Sequence, residues 1–124
     1  MSHNDNINEI VKFFFTLQLN IKLYHWNTTS FARHKASDEF GEKLLGLVDR
    51  FVEVFIGRYQ AKPYLSNIKI DSAFLTDDGS ENLLIKSRKY LEDLSNIIKD
   101  TDLLTIRDEL LSEVNQTLYL YQLK

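Results

Sequence analysis

One proline and four glycines in 124 residues leave too few turn-forming residues for the many reversals of an all-β protein. The apolar residues recur instead at three and four, the helical period. From Asp5, a candidate N-cap, to about Thr28, the residues Ile10, Phe14, Leu17, Ile21 and Tyr24 form one stripe. Val11, Phe15, Leu19, Leu23 and Trp26 form a second, nearly opposite at ~100° per residue. A helix in a monomeric fold needs one such face, so the second predicts burial against another subunit.

The polar run Asn27-Thr28-Thr29-Ser30 breaks that helix, and Thr29 or Ser30 can cap the next, from about Phe31 to Ala61 before Pro63. So short a connection makes the two helices antiparallel neighbours. On the second, Phe40, Leu44, Leu47, Phe51 and Phe55 read as the core stripe. Residues 63–80, with Tyr64, Leu65, Ile68 and Ile70, are long enough to cross the fold and to hold a short helix. Ser80 is expected to cap a third helix to about Lys99, with Leu84, Ser87, Leu91, Leu94 and Ile98 inward. A fourth runs from about Leu103 to Leu123 on Leu104, Leu111 and Leu118, with Arg107, Val114 and Tyr121 alongside. The fold class is therefore all-α: one domain over residues 1–124, a four-helix bundle of the ferritin-like kind, with a long crossover between helices 2 and 3.

Without cysteine there can be no disulfide and no thiolate metal site. The start, MSHNDNINEI, does not read as a secretory signal, and no apolar run approaches the ~20 residues of a membrane span. A soluble, cytoplasmic protein is expected. Fifteen basic against eighteen acidic residues and no lysine-rich tail make DNA an improbable partner.

Chemistry concentrates in the first two helices, where His25 and Trp26 precede His34, Asp38, Asp49 and Glu53. Imidazole and carboxylate together are the donor set for Fe(II), Mn(II) or Zn(II). Yet His34 and Asp49 stand roughly 22 Å apart at about 1.5 Å of rise per residue. One chain cannot close such a site. Two copies of the helix packed antiparallel about a two-fold axis near Lys43 would, with His34 and Asp38 of one facing Asp49 and Glu53 of the other. The Glu-x-x-His pattern of within-chain di-iron bundles does not occur. The short acidic series near Arg107 reads as helix-surface pairs, and His3 lies at the terminus with no role in the site.

The stretch LYHWNTTSFARHKASDEFGEKLLGLVDRFVE, with its spacings of four, eleven and four from His34 to Glu53, resembles the ferroxidase motif of the Dps proteins, the ferritin-like mini-ferritins. The likeness is specific over roughly residues 15 to 60 and architectural beyond. It implies a homo-oligomer, up to a twelve-subunit shell, that oxidises Fe(II) with hydrogen peroxide or dioxygen at an intersubunit site and stores the ferric product. By that resemblance His25, His34 and Asp38 come from one subunit, Asp49 and Glu53 from its mate, and Trp26 is an electron donor beside the iron. The chain is shorter than most members, which would suit a viral or phage type found in host cytoplasm or virion. A second expectation, from another class, is a non-enzymatic shell or virion-associated structural protein that keeps the fold without oxidising iron.

Overall fold

The computed structural model describes residues 2–72 and 75–124, whose regular elements are all helices, with no strand among them. Four α-helices, α1 (His3–Asn27), α2 (Phe31–Tyr59), α3 (Asp77–Asp93) and α4 (Thr101–Leu120), account for most of the chain, and a single 3-10 turn, Leu94–Asn96, finishes α3. α1 packs on α2 and α3, while α4 packs on α2 and α3.

The caps decide where each helix starts. Ser2, not Asp5, caps α1, its hydroxyl accepting the Asp5 N–H. Asp5 instead places its carboxylate in the first turn, where the helix dipole favours it. Ser30 caps α2 as expected, accepting the Arg33 N–H. That helix ends at Gln60, which turns left-handed at φ 55° and donates its N–H to the Ile56 carbonyl, so the αL residue and not Pro63 stops it. Thr76 rather than Ser80 caps α3, accepting the Gly79 N–H. Ser80 is buried, its hydroxyl 3.0 Å from that of Tyr121. At the other end α3 stops short of Lys99, where Arg107 donates to the Leu91 carbonyl at 2.9 Å and to Ser95 Oγ at 2.8 Å. Arg107 also meets Asp108, but it is a helix-end cap rather than only a surface partner.

One hydrophobic core joins all four helices. Phe40, Leu44, Phe51 and Phe55 of α2 are buried as the periodicity required, Leu47 partly so, and Phe51 meets Phe14 edge-on at 5.5 Å. The expected inward residues of the third segment are likewise buried. α4 is turned from its expected register: Leu103, Ile106, Leu110, Val114, Thr117 and Tyr121 face inward, and Leu104, Leu111 and Leu118 lie at the margin. The leucines at 103/104 and 110/111 offer two stripes one residue apart, and only the first also buries Ile106 and Val114.

Polar clusters tie the two ends. At one, Asp77 at the start of α3 accepts from Tyr24 OH at 2.6 Å and from Thr28 Oγ1 at 3.2 Å. Arg33 there donates to the Asp77 carbonyl at 3.1 Å, pairs with Glu81 and lies over the Tyr121 ring. At the other end Arg58 pairs with Asp100 at 2.8 Å, and the Tyr59 hydroxyl also donates to Asp100. His3 stacks on Tyr59 at 3.8 Å, so it is the first residue of a docked helix and not a frayed end. Between α2 and α3 no helix forms among the described residues. There Tyr64 donates its N–H to Asn8 at 2.8 Å, and Asn20 donates to the Asp71 carbonyl at 2.6 Å.

Replacing Phe51 with Ala should cost about 3–5 kcal/mol in urea unfolding, since it removes a wholly buried ring that the core cannot refill. Tyr90, stacked on Phe13 at 3.9 Å, has its phenol pushed up to about 12 by burial. A raised folded-state value means stability is intact below the ordinary phenol range and lost as pH rises through about 12. The urea midpoint should therefore fall between pH ~10 and ~12, and less steeply in Tyr90→Phe.

Candidate functional site

The short turn after α1 sets the site. With α1 ending at Asn27 and α2 beginning at Phe31, His25 in the last turn of one helix meets His34 in the first turn of the next. Their rings stack with centroids 3.9 Å apart and planes within 18°. The two residues also clasp each other's backbone: His25 Nδ1 lies 2.9 Å from the His34 carbonyl, and His34 Nδ1 lies 2.9 Å from the His25 carbonyl. A carbonyl only accepts, so each Nδ1 carries a proton. In a neutral ring Nε2 is then the bare nitrogen, free for a metal or a proton. The His25 carbonyl belongs to the last turn of α1, so His34 also satisfies one of that helix's orphan acceptors.

Ser37, buried one turn further on, donates to the His34 carbonyl at 3.1 Å and fixes the same corner. Asp38 completes the half-site, with Oδ1 3.9 Å from His25 Nε2. That gap is too long for a hydrogen bond, and the two donors would have to close by about 0.5 Å to share one tetrahedral ion at about 2.0–2.2 Å. His25 is largely buried while Asp38 is half exposed. Both border a cleft of about 330 Å³ between α1 and α2, whose walls also include Leu19, Lys22, Glu42 and Leu45.

Asp49 and Glu53 are not brought to this corner. Both are exposed further along α2, and no hydrogen bond or ion pair engages either among the described residues. Among those residues no three histidine or carboxylate side chains converge within one chain. Trp26 is 66% exposed with Lys22 over its ring, and Phe31 across the turn is 75% exposed. Of the second α1 stripe, Val11 is buried and Leu23 partly so, but Phe15, Leu19 and Trp26 are open, as is Leu45 of α2. Lys43 is turned away from this surface to Glu113 of α4, at 3.5 Å.

Sequence reasoning found the histidines, because a three-residue turn must bring them together. It missed Ser37 and the backbone clasp, which depend on ring orientation and leave no spacing signature.

Residues 25–121 match the model of a family described as a family of unknown function, DUF5856. That stretch takes in the six residues from His25 to Glu53 considered above and all of α2, α3 and α4. No curated protein and no solved structure matches the chain.

Long-range ¹H–¹⁵N spectra of the metal-free protein at neutral pH should show His25 and His34 as the tautomer protonated at Nδ1. A bare Nδ1 in either ring would rule out the clasp.

Proposed function

The chain belongs to the DUF5856 family of unknown function, and we propose that it is a Dps-like iron-binding ferroxidase of ferritin-like fold. One observation carries the reading: the clasp leaves two imidazole Nε2 atoms bare, one of them 3.9 Å from a half-exposed carboxylate, at the mouth of an open cleft. Nitrogen and carboxylate donors of this kind suit Fe(II) and stabilise the ferric product. Asp49 and Glu53, exposed and unpaired on the same helix, are the donors a second copy brings when α2 packs antiparallel on itself.

The contacts also favour the ferritin-like topology. Asp77 at the start of α3 is tied to Tyr24 and Arg33 at the hairpin turn, whereas Arg58 at the end of α2 is tied to Asp100 at the start of α4. α2 has 29 residues and spans about 43 Å at 1.5 Å each. On this reading the connection between α2 and α3 is the long crossover, and an extended segment of its length is enough to cover that distance.

In this function iron is substrate. Each Fe(II) gives up one electron, and one hydrogen peroxide takes two electrons and two protons to become two waters. On this reading His25 and Asp38 would bind the ion, His34 would join them by turning its ring out of the stack, and Asp49 and Glu53 of the second copy would close the site. Trp26, next to His25 and exposed, would absorb a stray radical equivalent. Removing Fe(II) and peroxide together limits oxidative damage, and the ferric product would be stored within a shell, up to a dodecamer.

The competing reading is a non-enzymatic oligomeric shell or virion-associated structural protein. It is favoured by the same clasp, which gives both histidines a complete structural role without any ion.

Anaerobic Fe(II) titration followed by peroxide separates the two. Wild type should bind saturably and oxidise fast. His34→Ala and Asp49→Ala should each lower the oxidation rate by about 10²-fold or more while remaining helical. Equal iron oxidation in both variants would refute the ferroxidase and leave the structural role.

A further inference from the structure

The open face of α2 is unusually acidic for a surface that meets itself. Asp38, Glu42, Asp49 and Glu53 lie within about 60° of one line along the helix at ~100° per residue. Phe31, Leu45 and Ile56 share that line, so the face is also apolar, with Phe31 75% and Leu45 59% exposed.

Resting on the intersubunit reading above, we infer that two copies join on this face only when a divalent cation is bound, making metal loading and assembly one coupled equilibrium. The pairing that sets His34 against Glu53 and Asp38 against Asp49 is symmetrical about a point between Lys43 and Leu44. The same symmetry sets Phe31 against Ile56 and Gly41 against Gly46. A Cβ at Gly46 would meet nothing within 4 Å, and one at Gly41 only Ile21 Cγ2 at 3.9 Å. Both glycines flank the face rather than line its middle, Gly41 in the cleft beside α1 and Gly46 in the groove beside α4. The self-matching register and the exposed Phe31 and Leu45 favour a second copy as the occupant.

Charge opposes it. Asp38 against Asp49 sets like charges face to face, with Glu42 of each copy within a turn of the axis. Of the basic side chains of the same helix, Lys35 shares this face over Phe31 and offsets one of its four carboxylates, while Lys43 is engaged with Glu113, Arg58 with Asp100 and Arg33 with Glu81, so the face keeps an acidic excess. Arg50 lies about 100° round the helix from Asp49, beside Glu109 and Glu113 of α4, and so lies off this face. From α1, Lys22 lies over Trp26 at the edge of the surface. Two divalent cations, one in each symmetry-related site, convert each repulsive cluster into an attractive one. By linkage, the factor by which metal strengthens assembly is the factor by which assembly strengthens metal binding.

Sedimentation velocity on the full chain tests this, in EDTA and in Mn(II), a divalent ion that peroxide-free buffer leaves unoxidised. Mn(II) should tighten self-association of wild type by at least about fivefold. Asp38→Asn/Asp49→Asn should assemble equally in both buffers, since the opposed charges are gone and both positions are exposed. Phe31→Asp should weaken assembly in both. Wild-type assembly that is the same with and without metal, while Mn(II) still binds stoichiometrically, would overturn the coupling and leave the iron site standing. Mn(II) binding to a species that stays monomeric would likewise overturn it. If neither Mn(II) nor Fe(II) binds, the coupling and the iron-binding function fall together.

Discussion

The geometry of the candidate site depends on the turn between α1 and α2. A connection of three residues leaves the two helices no choice but to run side by side in opposite directions, and the chain closes the corner with side chains rather than with more loop. The last turn of a helix carries carbonyls without partners, and His34 supplies one of them across the turn while His25 reciprocates. Each such bond contributes on the order of 0.5–1.5 kcal/mol net, and leaving the same groups unmet in a partly buried corner would cost more. The chemistry follows from this bonding. Once Nδ1 is committed to a carbonyl, Nε2 is the atom left to bind an ion, and Ser37 donates to the His34 carbonyl at the same corner.

The start of α3 depends on the same corner. Asp77 gathers Tyr24 and Thr28, while Arg33 spans the Asp77 carbonyl, Glu81 and the Tyr121 ring. Burial, reinforced by the hydrogen bond to Asp77, holds the Tyr24 phenol above its ordinary range and so keeps it a donor. A polar network of this kind is stabilising only when every member is satisfied. Here it fixes which helix ends are neighbours. An apolar contact at the same place would tolerate sliding, whereas a guanidinium shared between a backbone carbonyl and a carboxylate does not. The hairpin that carries the histidines is thus locked to the second half of the chain at its tip, and the cleft beside His25 stays open towards solvent.

Much of this was legible in the sequence, for reasons that differ between elements. α2 has one dominant apolar stripe, so Phe40, Leu44, Phe51 and Phe55 could be assigned to the core directly. α4 has paired leucines one residue apart, and periodicity alone cannot choose between such stripes. The choice rests on Ile106 and Val114, which turn inward with the first stripe, whereas the second runs past Arg107 and Asn115. Caps failed where candidates crowd together: Ser2 and Asp5, or Thr76, Asp77, Asp78 and Ser80, are all residues that favour helix starts. At the site, helix rise alone separated His34 from Asp49, and the turn alone joined His25 to His34. The hydrogen bonds between imidazole and backbone are set by ring rotation, for which no sequence pattern exists.

Division of a donor set between two copies has a physical consequence that a closed site lacks. A complete cluster of imidazoles and carboxylates within one chain must tolerate the mutual repulsion of its carboxylates whenever the ion is absent, and folding bears that cost. With Asp49 and Glu53 kept far along α2 from Asp38, a single chain folds without opposing them and leaves each hydrated. The penalty is transferred from folding to association, where an ion can offset it. On the proposed reading a lone subunit then holds iron weakly, with too few donors to keep it, and full coordination arises only where a partner stands opposite. Iron oxidation would be confined to the assembled state by the placement of four side chains on one helix, with no moving part required.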